Sequence, residues 1–207
     1  MAILLVFEIF NTMQIRKSII NLLLVILPMV SMAQERHFKS KQELMGFLYK
    51  SAYQAQREYR PKEALHYIDL LLQVDSNSIQ AHNLKGYVYE ESFANYDSAM
   101  ICYQKTLQLD SNYVKGYVNI GHLYYLKREY AKANEHNKRA IEIDSNYADA
   151  YFNLGWICNE ENYLYEAIGY MRKASQKGSQ AAKKWLEEFE AEDWRRDGAK
   201  EPKKEEE

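Results

Sequence analysis

Tyr117-Val118-Asn119-Ile120-Gly121-His122-Leu123-Tyr124, followed by Tyr130-Ala131-Lys132-Ala133 and then Ala140-Ile141-Glu142-Ile143-Asp144-Ser145-Asn146, decides how this chain folds, because the next stretch says the same thing again. That second copy begins Tyr151-Phe152-Asn153-Leu154-Gly155-Trp156 and continues with Tyr165-Glu166-Ala167 and Ala174. Gly121 and Gly155 are 34 residues apart, as are Ala133 and Ala167, and Ala140 and Ala174. A fixed period of this length marks stacked units, each too small to bury its own apolar face.

Working outward, Gly86, Tyr89 and Ala99 carry a weaker copy upstream. A still earlier one has Ala52 at the glycine position and Ala64, Leu65, Ile68, Leu71 and Leu72 at helical spacing. Gly86 and Ala99 are 13 residues apart, against 12 in the two later copies, so one residue is inserted, expectedly in the turn around Ser92 to Tyr96. Pro61 follows Arg60 where a second helix would start, a position that tolerates proline. Asp75-Ser76-Asn77, Asp110-Ser111-Asn112 and Asp144-Ser145-Asn146 recur at the junctions, where such residues favour turns and caps over helix interiors.

This pattern resembles the tetratricopeptide repeat family, a 34-residue helix–turn–helix unit with a large residue, Leu-Gly and Tyr on the first helix and small residues on the second. Tyr117, Ile120, Gly121, Tyr124, Ala133 and Ala140 match it in one copy, and Tyr151, Leu154, Gly155, Ala167 and Ala174 in the next, where Cys158 replaces the expected tyrosine. The resemblance covers residues 45 to 181. It implies an all-α fold, a right-handed α-α superhelix of about four stacked repeats (45–78, 79–113, 114–147 and 148–181). Ala182, Trp185, Leu186 and Phe189 continue at helical spacing, so residues 182–197 read as a helix capping the exposed end of the stack. Residues 198–207 are charged, lack a core pattern and read as a disordered tail.

The N-terminus has a different character. Arg16 and Lys17 precede an apolar run from Ile19 to Val30, and small residues follow at Ser31 and Ala33. This is the order of an export signal cleaved after Ala33. An uncleaved anchor in the inner membrane is the alternative, and Met13 is an alternative start. Residues 1–33 therefore stand apart from the fold, with 34–44 as a linker. The expected location is outside the cytoplasm, periplasmic where the host has an outer membrane.

The formal charge of -2 gives no general attraction to nucleic acid, and Lys127-Arg128 and Lys183-Lys184 are too short for a basic stripe. The histidines lack metal-ligand spacing, Cys102 and Cys158 are isolated, and no glycine-rich phosphate loop occurs, so no cofactor, metal or catalytic residue is expected. Cys158 reads as a small buried thiol. Glu90-Glu91 and Glu160-Glu161 are adjacent pairs that cannot face one another across a cleft, and both read as solvated surface.

By the family resemblance, the first helices line the inner face. The positions this implies include Tyr49, Tyr53, Gln56 and Arg57, then Asn83, Tyr87, Glu90 and Glu91, then Lys115, Val118, His122, Tyr125 and Leu126, and then Asp149, Phe152, Trp156, Asn159 and Glu160. Of these, Tyr53, Arg57, Tyr87, His122, Tyr125, Phe152, Trp156 and Asn159 are the expected contacts for a protein or peptide partner, with Tyr125, Phe152 and Trp156 as leading anchors. Aromatics supply contact area with few rotors to freeze. Some family members clamp a terminal carboxylate with Lys, Asn and Arg. Here Tyr49 and Tyr53 stand where the clamp wants Lys and Asn, and Leu84 replaces another Asn, so Lys115 and Asn119 match only part of it. The expectation is a noncatalytic protein-interaction scaffold of the cell envelope. A hydrolase using acidic groove residues and a module self-assembling through its repeat ends are the alternatives.

Overall fold

The computed structural model describes residues 38–196, so the export segment at 1–33 and the tail at 198–207 lie outside the described residues. Among the described residues the fold is all-α, with nine helices and no strand: α1 (Lys41–Arg57), α2 (Pro61–Val74), α3 (Ile79–Phe93), α4 (Tyr96–Leu109), α5 (Val114–Leu126), α6 (Tyr130–Ile143), α7 (Ala148–Glu160), α8 (Leu164–Gln176) and α9 (Gln180–Arg196). No described helix is long and apolar enough to cross a membrane. The described residues fall into two units, divided between Phe47 and Leu48.

In the described part of the first unit, α1 starts at a side-chain cap. Ser40 Oγ accepts the Glu43 N–H at 3.1 Å, while Glu43 reaches back to the Lys39 N–H at 2.8 Å. This is a capping box whose return arm reaches one residue further than usual. It starts the helix ahead of Met45, where the repeat pattern begins.

The second unit is a superhelical stack of consecutive helix pairs. α3 packs on α4, α5 on α6 and α7 on α8, and each pair packs on the next through α2–α3, α4–α5 and α6–α7; α9 packs on α8. The small residues at the repeat period let the helices approach. Ala64, Ala99, Ala133 and Ala167 are fully buried. A Cβ at Gly86 would fall 2.5 Å from the Tyr103 ring, and one at Gly121 would fall 2.5 Å from the Asn137 amide. The first helix of each of these pairs therefore rests directly on a side chain of the second.

The junctions repeat as closely as the core. Asp75, Asp110 and Asp144 each end a helix in extended backbone, and their Oδ1 atoms accept the N–H of Asn77, Asn112 and Asn146 at 3.2, 2.9 and 2.9 Å. One turn into the next helix, Tyr117 and Tyr151 donate their hydroxyls to the carbonyls of Ser111 and Ser145. His82 occupies the same place and meets the Ser76 carbonyl at 3.0 Å. The histidine is thus a junction residue that substitutes for a tyrosine.

Each first helix of the four pairs ends with a residue in left-handed backbone: Tyr59, Ala94, Arg128 and Asn162. In three of them the following N–H bonds five residues back, as in Arg60 to Ala55, Glu129 to Tyr124 and Tyr163 to Cys158. At the second, Asn95 N–H bonds six residues back, to Tyr89. The inserted residue is absorbed in the closing turn of α3, so Asn95 remains free to cap α4 by accepting the Ser98 N–H at 3.0 Å.

The last pair and α9 share a cluster of Tyr151, Met171, Ala174 and Ala182, with Phe152, Trp156, Trp185 and Leu186 packed against it. Trp185 stacks on Phe189 at 5.4 Å and 8°.

Candidate functional site

Tyr49 and Tyr53 on α1, and Asn83 and Tyr87 on α3, come from the first helices of two adjacent repeats. With Lys115 and Asn119 on α5 and Asp149 on α7 they line a groove of about 920 Å³, together with Gln56, Arg57, Glu91 and Ser92, and with Tyr59 from the turn after α1. Two side-chain contacts hold it together across repeats. Gln56 Nε2 donates to Ser92 Oγ at 3.1 Å and the serine hydroxyl returns a bond at 3.2 Å. Asn119 Nδ2 donates to Asn83 Oδ1 at 2.8 Å, and Asn83 is buried.

The groove is aromatic and electrically balanced. Tyr53 and Tyr87 are 50% and 42% exposed, and Tyr59 is 93% exposed. Burial, aided by Tyr53, pushes the Tyr49 phenol up; burial, aided by Glu91, does the same to Tyr87, so both remain protonated hydroxyl donors. Arg57 and Lys115 are matched in number by Glu91 and Asp149 on the same wall.

Beyond the groove, the inner face holds a buried network. Glu90, expected as solvated surface, is buried, with its side chain only 5% exposed. Tyr103 donates its hydroxyl to Glu90 Oε2 at 2.6 Å, and His122 Nδ1 lies 2.5 Å from Oε1. A carboxylate only accepts, so Nδ1 carries a hydrogen. The Glu90 hydrogen bond raises the His122 pKa against the opposing effect of burial. Glu91, next in sequence, lines the groove instead, so the two acids face different surroundings and form no carboxylate pair. Glu90 is a structural acceptor with both oxygens engaged.

Of the expected contact residues, Tyr53, Arg57 and Tyr87 come together in the groove. His122 sits behind it on Glu90. Tyr125 stacks on His122 with ring centroids 6.1 Å apart at 16°, and its hydroxyl reaches Glu160 Oε1 at 3.5 Å. Phe152 and Trp156 meet edge to face at 6.1 Å and are partly buried against the C-terminal cluster. Asn159, also on α7, is partly buried. Cys158, expected to be buried, is only partly so, and both cysteines are free thiols. Among the described residues, no group of three or more His, Cys, Asp or Glu is placed to hold a metal ion.

Sequence reading missed Tyr59 as a groove residue and missed the Glu90 network. A signal for the network does exist. Tyr103 stands four residues past Ala99, the column occupied by Ile68, Asn137 and Met171 in the other pairs. A buried phenol there needs an acceptor across Gly86, and Glu90 is the acid one turn beyond that glycine.

Comparison with known proteins agrees with this architecture. A family profile described as "Tetratricopeptide repeat" matches residues 79–113 and 148–176, and one described as "TPR repeat" matches 121–157. These segments are tetratricopeptide repeats. Among solved structures, a crystal structure of MamA is 23% identical over 67% of this chain and 81% of that one, with a TM-score of 0.54. The pilF protein of Pseudomonas aeruginosa is 20% identical over 68% of this chain and 64% of that one, with a TM-score of 0.61. An O-GlcNAc transferase mutant from Thermobaculum terrenum is 17% identical over 66% of this chain but only 27% of that one, with a TM-score of 0.58. At these identities the likeness is one of fold. No curated protein matches the chain by sequence.

Proposed function

We propose that the repeat unit is a noncatalytic protein-interaction scaffold that holds an extended segment of a partner across its first helices. The observation that carries this is the groove itself: tyrosines from adjacent repeats, lined also by amide and charged groups, and cross-linked between repeats by Asn83–Asn119 and Gln56–Ser92. Preorganised aromatic surface suits protein recognition, because little side-chain freedom is lost on contact. Tyr53, Arg57 and Tyr87 form the main contact, and His122, Tyr125, Phe152, Trp156 and Asn159 extend it along the later repeats. The adjacent Glu90–Glu91 pair is not available to a hydrolytic mechanism, because both Glu90 oxygens are engaged. With residues 1–33 acting as an export signal or membrane anchor, the partner is another protein of the cell envelope.

Capture of binding proteins from envelope extract tests this reading. The full chain should retain a specific partner that Tyr53→Ala and Tyr87→Ala lose while keeping native helicity. Unchanged capture by both variants contradicts it. N-terminal sequencing of the mature protein checks cleavage after Ala33 separately.

A further inference from the structure

The chemistry of the groove also narrows its occupant, an inference that rests on the reading just given. We propose that it takes a proline-rich segment in the polyproline II conformation.

The first argument is the balance of donors and acceptors. Tyr49, Tyr53, Tyr59 and Tyr87 line the groove, and none of their hydroxyls is hydrogen-bonded within the described residues. The amides nearby are already committed, Asn119 to Asn83 and Gln56 to the Ser92 hydroxyl. Beyond its two cations and two anions, the groove therefore presents four phenolic hydroxyls for an occupant's acceptors. A polyproline II segment has no internal hydrogen bonds, leaves its carbonyls free and, where it is proline, has no N–H to satisfy.

The second argument is charge. Two cations and two anions face the same space, so neither an acidic nor a basic segment is favoured, and an uncharged one is complementary. Proline rings are uncharged and flat enough to lie on tyrosine faces, which is how aromatic-lined grooves recognise such segments.

The third argument is register. Tyr53 follows Ala52 and Tyr87 follows Gly86, so the two rings occupy the same place in adjacent repeats. Gln56 and Ser92 hold α1 beside α3, and helices in contact lie roughly 8–10 Å apart. A polyproline II helix repeats about every 9 Å, three residues at about 3.1 Å each. A segment running across the first helices thus presents the same face to Tyr53 and, one turn later, to Tyr87.

The test is calorimetric titration of the full chain with four synthetic peptides of equal length: a proline-rich one, its proline-to-alanine analogue, an acidic one and an amphipathic helical one. The proline-rich peptide should bind at least tenfold more tightly than the analogue. Tyr53→Ala and Tyr87→Ala should each weaken it at least tenfold, and Tyr53→Phe and Tyr87→Phe by a smaller factor through the lost hydroxyl. Ile101→Ala, on α4 outside the groove, should leave binding unchanged. Equal or tighter binding of another peptide, with the same dependence on Tyr53 and Tyr87, overturns the polyproline assignment while the groove stands as a peptide site. Self-association abolished by the same substitutions, without preference for proline, puts a second copy in the groove and also overturns it. Absence of binding, or binding indifferent to both tyrosines, overturns the assignment; partner capture equally indifferent to them overturns the groove reading too.

Discussion

His122 on α5 approaches the buried Glu90 of α3 to 2.5 Å between Nδ1 and Oε1, so one hydrogen bond ties the third repeat to the second. Its charge state makes part of the fold's stability depend on pH. The groups facing this imidazole are Glu90 and Glu91 from α3 and Tyr125 from its own helix, with Tyr103 of α4 held on the far oxygen of Glu90 and Glu160 of α7 on the Tyr125 hydroxyl. The Glu90 hydrogen bond raises the His122 pKa, so the folded state holds the proton more tightly than the unfolded chain, where histidine titrates near about 6.5. The resulting stabilisation is complete below that unfolded value and is lost as pH rises through the higher folded one. Urea unfolding of the wild type and His122→Gln should therefore differ more below about pH 6.5 than well above it. A difference that grows with pH contradicts the assignment.

Tyr103→Phe removes the other bond to Glu90 without changing the ring that fills the space beside Gly86. Glu90 is left with an oxygen that water can hardly reach. Hydrogen bonds to charged groups contribute roughly 1.5–3 kcal/mol, and a loss of that size is expected in chemical denaturation. Glu90→Gln in the Tyr103→Phe background should recover part of it, because a neutral amide is less costly to leave half-satisfied.

The glycines should separate by what they touch. Gly86→Ala forces a Cβ to 2.5 Å from Tyr103 and should destabilise by about 1–3 kcal/mol. The nearest atoms to a Cβ in Gly155→Ala belong to the flexible Met171 side chain, at 3.0 Å, so this variant should be milder. Gly169 lies in α8, is exposed and has nothing within 4 Å of its Cβ position, so Gly169→Ala should stabilise by roughly 0.5–1 kcal/mol. Thermal unfolding of the three variants gives the order directly.

Ala94 ends α3 at φ 48°, a left-handed conformation that alanine adopts at a cost of about 1–2 kcal/mol. Ala94→Gly should raise the melting temperature. The same substitution at exposed Ala131, inside α6, should lower it.

These expectations also show where the sequence was legible. Gly121, Gly155, Ala133 and Ala167 disclose the helix pairs because close packing admits only small residues at a fixed period, and the Asp-Ser-Asn junctions disclose the turns. The inserted residue is visible as a longer spacing, but its accommodation in the last turn of α3 is a backbone matter that spacing alone does not decide. Glu90 reads as surface in the sequence because Glu90-Glu91 and Glu160-Glu161 hold matching places near the ends of first helices; its burial depends on Tyr103 reaching past Gly86 from another helix. Phe152 and Trp156 are aromatic at inner-face positions, yet α9 and α8 supply a cluster that takes up part of their surface. Exposure at equivalent positions therefore falls from Tyr53 and Tyr87 to Trp156, and what sets it is the neighbour beyond the repeat.

The central claim is that a partner lies across the first helices of the early repeats. Site-specific photo-crosslinking in cells tests it most directly, with a photoreactive residue in place of Tyr87 in the groove or of Ile101, which is 68% exposed on α4. The account predicts a discrete crosslinked partner from position 87 that is absent from position 101. The same partner from both positions, or one from position 101 alone, would contradict it.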